Sequence, residues 1–173
     1  MSTYTRTAKI LHWGMAALIA ALLSLGFVMT GLPLSPDKLQ LYAWHKWAGV
    51  SVFLLVWLRL LWRLRHPAPP WPAGMPRWQQ RAAQLGHIAL YGLMFAIPLS
   101  GWLLSSAKGV QTVWFGVLPL PDLVAKNKQL GQLLSEVHEL LNFTLLALLA
   151  IHVGAALKHH WIDRDDTLRR MWR

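Results

Sequence analysis

Residues 136–158 read EVHELLNFTLLALLAIHVGAALK and decide the fold, because this long apolar stretch holds one histidine near each end. His138 and His152 are fourteen positions apart, which in an α-helix is just under four turns and about 21 Å of rise. The two imidazoles therefore lie on one helix face at two depths. An ionisable side chain inside a membrane-embedded segment indicates a functional site by default, so we predict one functional group at each depth.

Four apolar runs predict an all-α protein, a transmembrane four-helix bundle. Hydrophobic residues make up 55% of the 173-residue chain and charged residues only 14%, a balance typical of membrane proteins. Three runs lack Asp, Glu, Lys and Arg over the roughly 18–20 residues that cross hydrocarbon. The fourth ends in arginines that can reach the membrane surface; the alternative is three spans and an interfacial helix. We predict one domain over residues 1–173, with helices at about 9–31, 42–64, 78–106 and 136–158.

The first apolar run is interpreted as a helix and not as a signal peptide. It is longer than the apolar region of a signal peptide, and no convincing small-residue cleavage site follows it. The connection at 66–72 is rich in proline and cannot be helical. His66, at its start, is interpreted as a solvated loop residue.

Basic residues are divided unequally between the two ends of the predicted bundle. Of the 17 Lys and Arg residues, twelve fall on the side of the termini, and five fall on the other side: Lys38, Lys46, Lys108, Lys126 and Lys128. The positive-inside rule then predicts that both termini are cytoplasmic. The net charge of +10 is explained by this topology and by attraction to anionic lipid. The expected partner is the lipid bilayer and not nucleic acid.

Histidines fall at two depths when each helix is measured from its own histidine. The outer depth holds His45 and His138, and the inner depth holds His12, His87 and His152. Because the chain has no cysteine, a redox metal must be bound by histidine or methionine. Paired imidazoles suit b-type haem, and bis-histidine ligation leaves no position open to oxygen, so such haems transfer single electrons. An outer haem would pair His45 with His138, whereas the inner depth has one spare histidine.

Two glycines and an arginine lie fourteen positions after the histidines of the first, third and second helices: Gly26, Gly101 and Arg59. We predict that both glycines make room for the outer haem, although glycine is also common at membrane helix contacts. We predict that Arg59 pairs with propionates of the inner haem. The alternative is an arginine that reaches the membrane edge.

Short motifs follow one another along almost the whole chain: Ala8–Trp13, Trp44–Lys46, Gly86–Tyr91, Pro98–Trp102, His138–Glu139, Ile151–His152, Leu157–Trp161 and Arg164–Leu168. In these motifs the sequence resembles the bacterial cytochrome b561 family of four-helix, dihaem proteins. The resemblance implies a multi-pass protein of the bacterial inner membrane with two haem b groups. It also implies His12 and His152 as the inner pair of ligands, and His45 and His138 as the outer pair.

The resemblance to enteric members of this family implies a superoxide:ubiquinone oxidoreductase, which takes electrons from periplasmic superoxide and reduces ubiquinone at the inner haem. Three lysines of the outer loop could steer superoxide, or could be ordinary solvated residues: Lys108, Lys126 and Lys128. Four residues at the cytoplasmic side are quinone candidates, or merely interfacial residues: His87, His159, His160 and Trp161.

Two other functions compete with this one. The chain could be a non-catalytic haem b subunit that carries electrons between a periplasmic partner dehydrogenase and the quinone pool. It could also be a haem-free protein whose histidines form a proton path. Reduction of the isolated protein by superoxide, or by another small periplasmic donor, would distinguish the superoxide:ubiquinone oxidoreductase from the electron-transfer subunit. Absence of b-type absorption bands would favour the haem-free proton path.

Overall fold

A computed structural model describes residues 3–72 and 74–172 and shows four long helices in a bundle, with a short hairpin and a short fifth helix. The elements are α1 (Arg6–Gly31), α2 (Pro36–Arg65), α3 (Arg77–Ala107), β1 (Val113–Trp114), β2 (Leu118–Pro119), α4 (Lys128–Trp161) and α5 (Thr167–Trp172). Four of these helices are long and apolar enough to cross a membrane. The predicted all-α bundle is therefore confirmed, and α3 continues through Pro98.

Side-chain caps place two helix starts earlier than expected. The Ser35 hydroxyl and the Asn127 amide oxygen each accept a backbone N–H three residues further on, at 3.2 and 3.0 Å. Such caps satisfy donors that the first turn leaves free. As a result α2 begins at Pro36 and not near 42, and α4 begins at Lys128 and not near 136. The expected bounds were wrong because hydropathy marks the lipid-embedded part of a helix and not its polar first turns.

The chain order brings both termini to one end of the bundle. Helix α1 packs on α2, α2 on α3, and α3 on α4. The Tyr4 N–H donates to the Arg170 carbonyl at 3.3 Å, and the Trp13 indole donates to the Met171 carbonyl at 3.0 Å. We call this the terminal end and the opposite one the hairpin end.

A buried apolar layer crosses the middle of the bundle. One residue from each long helix contributes to it, namely Ile19, Val52, Met94 and Leu145, and each is at most 9% exposed. Each lies seven positions from a histidine on its own helix, which is about 10 Å of rise. This midway layer therefore separates the two histidine depths.

The outside of the bundle is apolar. Large hydrophobic side chains on all four long helices stay exposed, among them Leu61 at 50%, Ile88 at 68% and Leu140 at 67%. A soluble protein rarely leaves so much contiguous apolar surface in water. The expected partner of this surface is the lipid bilayer.

The connection between α3 and α4 covers the hairpin end. It runs over 108–127, shorter than the expected 107–135, because α4 starts early. Its two strands pair antiparallel, and Phe115 and Gly116 at the turn have positive φ angles of 51° and 72°. The Trp47 indole donates to the Val113 carbonyl at 2.6 Å, and the Trp114 indole donates to the Trp47 carbonyl at 3.2 Å. The hairpin is thereby attached to α2.

Candidate functional site

Two imidazoles face each other near the hairpin end. The ring centroids of His45 on α2 and His138 on α4 are 6.4 Å apart, with 77° between their planes. Because a metal–nitrogen bond is about 2 Å long and a ring centre lies roughly 1 Å behind its nitrogen, two imidazoles on opposite sides of one metal have centroids about 6 Å apart. The spacing of this pair fits a metal bound between the rings.

A mainly apolar cavity of about 360 Å³ adjoins both rings. Its walls include Ile19 of α1, Val52 of α2, Met94 of α3 and Leu145 of α4, so its floor is the midway layer. Ligand pockets are commonly apolar with a few placed polar groups. A flat apolar group bound by the two histidines would find a matching environment here.

Both predicted glycines lie against these imidazoles. A Cβ atom added to Gly26 would be 3.6 Å from Cε1 of His45, and one added to Gly101 would be 3.1 Å from Cε1 of His138. The second distance is tighter than an ordinary van der Waals contact. A side chain at Gly101 would therefore crowd the His138 ring, and a role of both glycines in making room for a haem stays a prediction.

Ser100 orients the His138 ring, a role that was not predicted from the sequence. The Ser100 hydroxyl donates to the Ile97 carbonyl at 2.8 Å, and its oxygen lies 2.9 Å from Nδ1 of His138. Since the hydroxyl proton is already used, the oxygen accepts from Nδ1–H, and the lone pair of a neutral ring is then on Nε2. This second contact is the one that fixes a metal-binding histidine in other proteins. In the part of the chain that the structure describes, the buried Nδ1 of His45 has no such partner.

Three imidazoles meet near the terminal end. His152 on α4 lies 6.2 Å from His12 on α1 and 5.6 Å from His87 on α3, measured between ring centroids. Both separations are near the value for two rings that share a metal. The structure therefore brings the predicted inner candidates together, and both pairings of His152 that the spacing left open remain geometrically possible.

Arg59 reaches this tier, where it contacts His12 and Tyr91; its pairing with a haem propionate stays a prediction. Its Nη2 atom lies 2.8 Å from Nδ1 of His12, and its guanidinium lies 5.5 Å from the centre of the Tyr91 ring. Because a guanidinium can only donate, a neutral His12 in this arrangement carries its proton on Nε2. A metal bound to Nε2 requires the proton to be on Nδ1. Because Arg59 cannot accept a hydrogen bond from Nδ1–H, its guanidinium must then move away from the His12 ring. The residues fit a haem once this one hydrogen bond is exchanged.

The remaining quinone candidates lie at the end of α4. Nδ1 of His159 is 2.6 Å from an Asp165 carboxylate oxygen and 3.0 Å from one of Asp163, and Trp161 is 66% exposed. His160 has a buried Nδ1 without a hydrogen-bond partner among the described residues. His159 is thus engaged with two carboxylates at the terminal end.

Asp165 joins α4 to α5. It accepts from the Thr167 N–H at 2.8 Å as well as contacting His159. Burial by itself raises the pKa of Asp165, but the hydrogen bonds from Thr167 and His159 outweigh it and lower the pKa below its ordinary value. This contact, together with the turn at Arg164, which has φ of 54°, positions the short terminal helix.

His66 stacks on Trp62 at 4.0 Å and is exposed, as the sequence predicted.

The three predicted outer lysines are all exposed. Of these, Lys108 also lines the cavity, and Lys126 and Lys128 do not. Lys46 also lines the cavity, whereas from the sequence it was interpreted only as a charge at a helix end. Its position directly after His45, a predicted haem ligand, is the sequence feature that could have indicated a place for Lys46 at this site.

The chain matches known proteins over almost its whole length. A family profile described as prokaryotic cytochrome b561 matches residues 3–173. Cytochrome b561 homolog 2 of Escherichia coli K12 is 35% identical over 168 residues, which cover 92% of this chain and 86% of that protein. Cytochrome b561 homolog 1 of the same organism is 34% identical over 175 residues, 99% of this chain and 97% of that protein. A Yersinia pestis protein named "Probable superoxide oxidase CybB" is 31% identical over 127 residues, 73% of this chain and 72% of that protein.

Proposed function

Because this chain belongs to the prokaryotic cytochrome b561 family, a family of membrane proteins that transfer electrons through haem, we propose that it holds two haem b groups, one at each histidine tier. His45 and His138 would bind the iron near the hairpin end, and His12 and His152 the iron near the terminal end. The observation that carries this proposal is the spacing of the two ring pairs, 6.4 and 6.2 Å, since both match two imidazoles on one metal.

When bound, each haem would supply a one-electron couple of ferric and ferrous iron. The residues of the chain fix a proton position, exclude water and provide hydrogen-bond donors. Ser100 holds the proton of His138 on Nδ1, the midway layer excludes water between the tiers, and Arg59 is placed to donate hydrogen bonds to a carboxylate when it leaves His12. His87 is the spare imidazole of the terminal-end tier.

The proposed orientation puts the terminal end in the cytoplasm of a bacterial inner membrane. Twelve of the 17 Lys and Arg residues belong to that end, and such an excess is typical of the cytoplasmic side. The hairpin end and its cavity then face the periplasm.

The proposed reaction is the oxidation of periplasmic superoxide and the reduction of ubiquinone. Superoxide gives up one electron and leaves as O₂, and two such electrons with two protons convert ubiquinone to ubiquinol. The name of the Yersinia pestis relative and a lysine at the cavity, Lys108, favour this donor. Lys126 and Lys128 are exposed, do not line the cavity and would act through their field alone.

The quinone site is proposed at the terminal end beside His87. An imidazole can relay the protons that quinone reduction requires, and His87 lies next to the terminal-end pair. His159 is occupied by two carboxylates, so His160 and Trp161 are the better candidates among the residues at the end of α4.

Haem content of purified variants tests the ligand assignment. We expect two haems per chain in the wild type, and one each in His45→Ala and His12→Ala, with a different haem lost in each. His87→Ala is the matched control and should keep both, because it is the imidazole left over. Retention of both haems in His12→Ala, with loss of one in His87→Ala, would move the inner iron to the pair of His87 and His152.

Reduction of the isolated protein by superoxide tests the proposed activity. Superoxide should reduce the haem absorption bands, added superoxide dismutase should prevent this, and a soluble ubiquinone analogue should reverse it. A protein that contains two haems but is not reduced by superoxide would instead fit the haem b subunit of a partner dehydrogenase.

A further inference from the structure

The ammonium group of Lys46 is held at the cavity beside His45 by neutral oxygen atoms. Its Nζ lies 3.2 Å from the Ser105 hydroxyl oxygen, 3.5 Å from the Val110 carbonyl and 3.3 Å from the Gln111 carbonyl. Ser105 is only 8% exposed, and Lys46 itself is partly buried. Three elements, α2, α3 and the loop before the hairpin, thus converge on one cation.

No carboxylate among residues 3–72 and 74–172 forms an ion pair with Lys46; the ion pairs there involve Lys158 and His159. Asp122 attracts Lys46 only from a greater distance. A partly buried charge without a counter-ion is costly, so such groups are usually paired. The nearby carboxyl end of α3 and the neutral oxygens compensate only part of this charge.

The cavity supplies the place for that partner. Lys46 and Lys108 both line it, together with His45 and His138. The remaining lining is largely apolar. Thr112, which is 3% exposed, donates its hydroxyl hydrogen bond to Ser105 and is therefore not available to a group bound in the cavity. Lys46 and Lys108 are the lysines among its lining residues.

We propose that Lys46 binds an anionic oxygen group in the cavity beside His45. The inference rests on the proposed function, and two sources supply this chemistry: superoxide as the substrate, or a propionate of the outer haem. In the first case Lys46 would concentrate the substrate next to the group that oxidises it. In the second it would neutralise a carboxylate that otherwise faces an apolar cavity.

Lys46→Gln tests the proposal, with Lys38→Gln as the matched control. Lys38 lies at the same end, and its ammonium also binds backbone carbonyls at the end of a helix, those of Thr30 and Leu32, but it does not line the cavity. Both variants lose one positive charge and one helix-end contact. A purely structural role would therefore affect stability in both and change neither rate nor potential.

If the anion is superoxide, Lys46→Gln should slow haem reduction by superoxide on the order of tenfold at low salt, and weaken its salt dependence. Lys46→Arg should restore most of the rate, and Lys38→Gln should stay within about twofold of the wild type. If the anion is a propionate, the rate stays near that of Lys38→Gln while the midpoint potential of one haem falls, because a positive charge near it is lost.

Equal rates and equal midpoint potentials in Lys46→Gln and Lys38→Gln, with both haems retained, would overturn the proposal. A wild type without haem would instead overturn the proposed function, so the two failures are distinct. If Lys46→Gln does not fold, Lys46→Met keeps the apolar stem of the side chain and is judged by the same two measurements.

Discussion

At the residue scale, the two imidazoles near the hairpin end are held differently. Nδ1–H of His138 is held by Ser100, whereas Nδ1 of His45 is buried without a hydrogen-bond partner among the described residues. A hydrogen bond at this position makes the other ring nitrogen a stronger donor to a metal. The His138 side of the proposed haem is therefore the one that the protein orients.

Ser100→Ala should raise the midpoint potential of the outer haem and weaken its binding. Loss of the acceptor makes His138 a poorer electron donor, which destabilises ferric iron, and such substitutions typically cost about 10–100-fold in metal affinity. A redox titration that resolves the two haems measures the first effect, and haem loss to apomyoglobin measures the second. Ser100→Thr keeps the hydroxyl and should behave like the wild type; equal changes in both haems would contradict the assignment.

Gly101→Ala should disturb the outer haem while Gly92→Ala does not. The added methyl group would lie 3.1 Å from the His138 ring, whereas at Gly92, also on α3, nothing lies within 4 Å. We expect Gly101→Ala to lose a fraction of its haem and Gly92→Ala to retain two haems with unchanged spectra. Identical haem content in both variants would show that the ring can move aside freely.

At the element scale, hydropathy and helical period predicted the four long helices and the depths of the histidines, but not the short helix α5. They could not predict that α4 begins at Lys128, since its first turns are polar and a cap starts it. They also could not predict the partner of Arg59, because the rotation of α1 against α2 decides whether the guanidinium meets His12. The relation of Lys46 to the cavity depends on the loop after α3, which has no periodic pattern to read.

The contact between the end of α4 and α5 should make stability depend on acid. Because the pKa of Asp165 is lowered in the folded protein, its stabilisation is fully present above about pH 4, the ordinary value for Asp. It is lost as the pH falls through the lower, folded value. Asp165→Asn should therefore lower the apparent unfolding temperature at pH 7 by roughly 2–4 °C and flatten its fall in acid.

Thermal unfolding in detergent between pH 7 and pH 3 measures this effect. Glu136→Gln removes a charge from an exposed position on α4 and is the control. If both variants follow the wild-type profile in parallel, the contact of Asp165 with His159 and Thr167 contributes no stability.

At the scale of the whole molecule, the shared end of the two termini allows a direct test of orientation. Reporters fused to either terminus should indicate the cytoplasm: green fluorescent protein should be fluorescent and alkaline phosphatase inactive. Alkaline phosphatase fused after the hairpin, following Asp122, should be active because that end is expected outside. The reverse pattern would place the cavity in the cytoplasm and exclude periplasmic superoxide as its substrate.

The midway layer of Ile19, Val52, Met94 and Leu145 has a consequence for energetics. These four side chains carry no group that can bind a proton, so an electron that passes between the tiers moves without a compensating charge. In the proposed direction it travels toward the negative side of an energised membrane, and a complete crossing costs about 2.3 kcal/mol per 100 mV. Turnover would therefore slow as the voltage across the membrane rises, and collapsing that voltage with an ionophore would speed it.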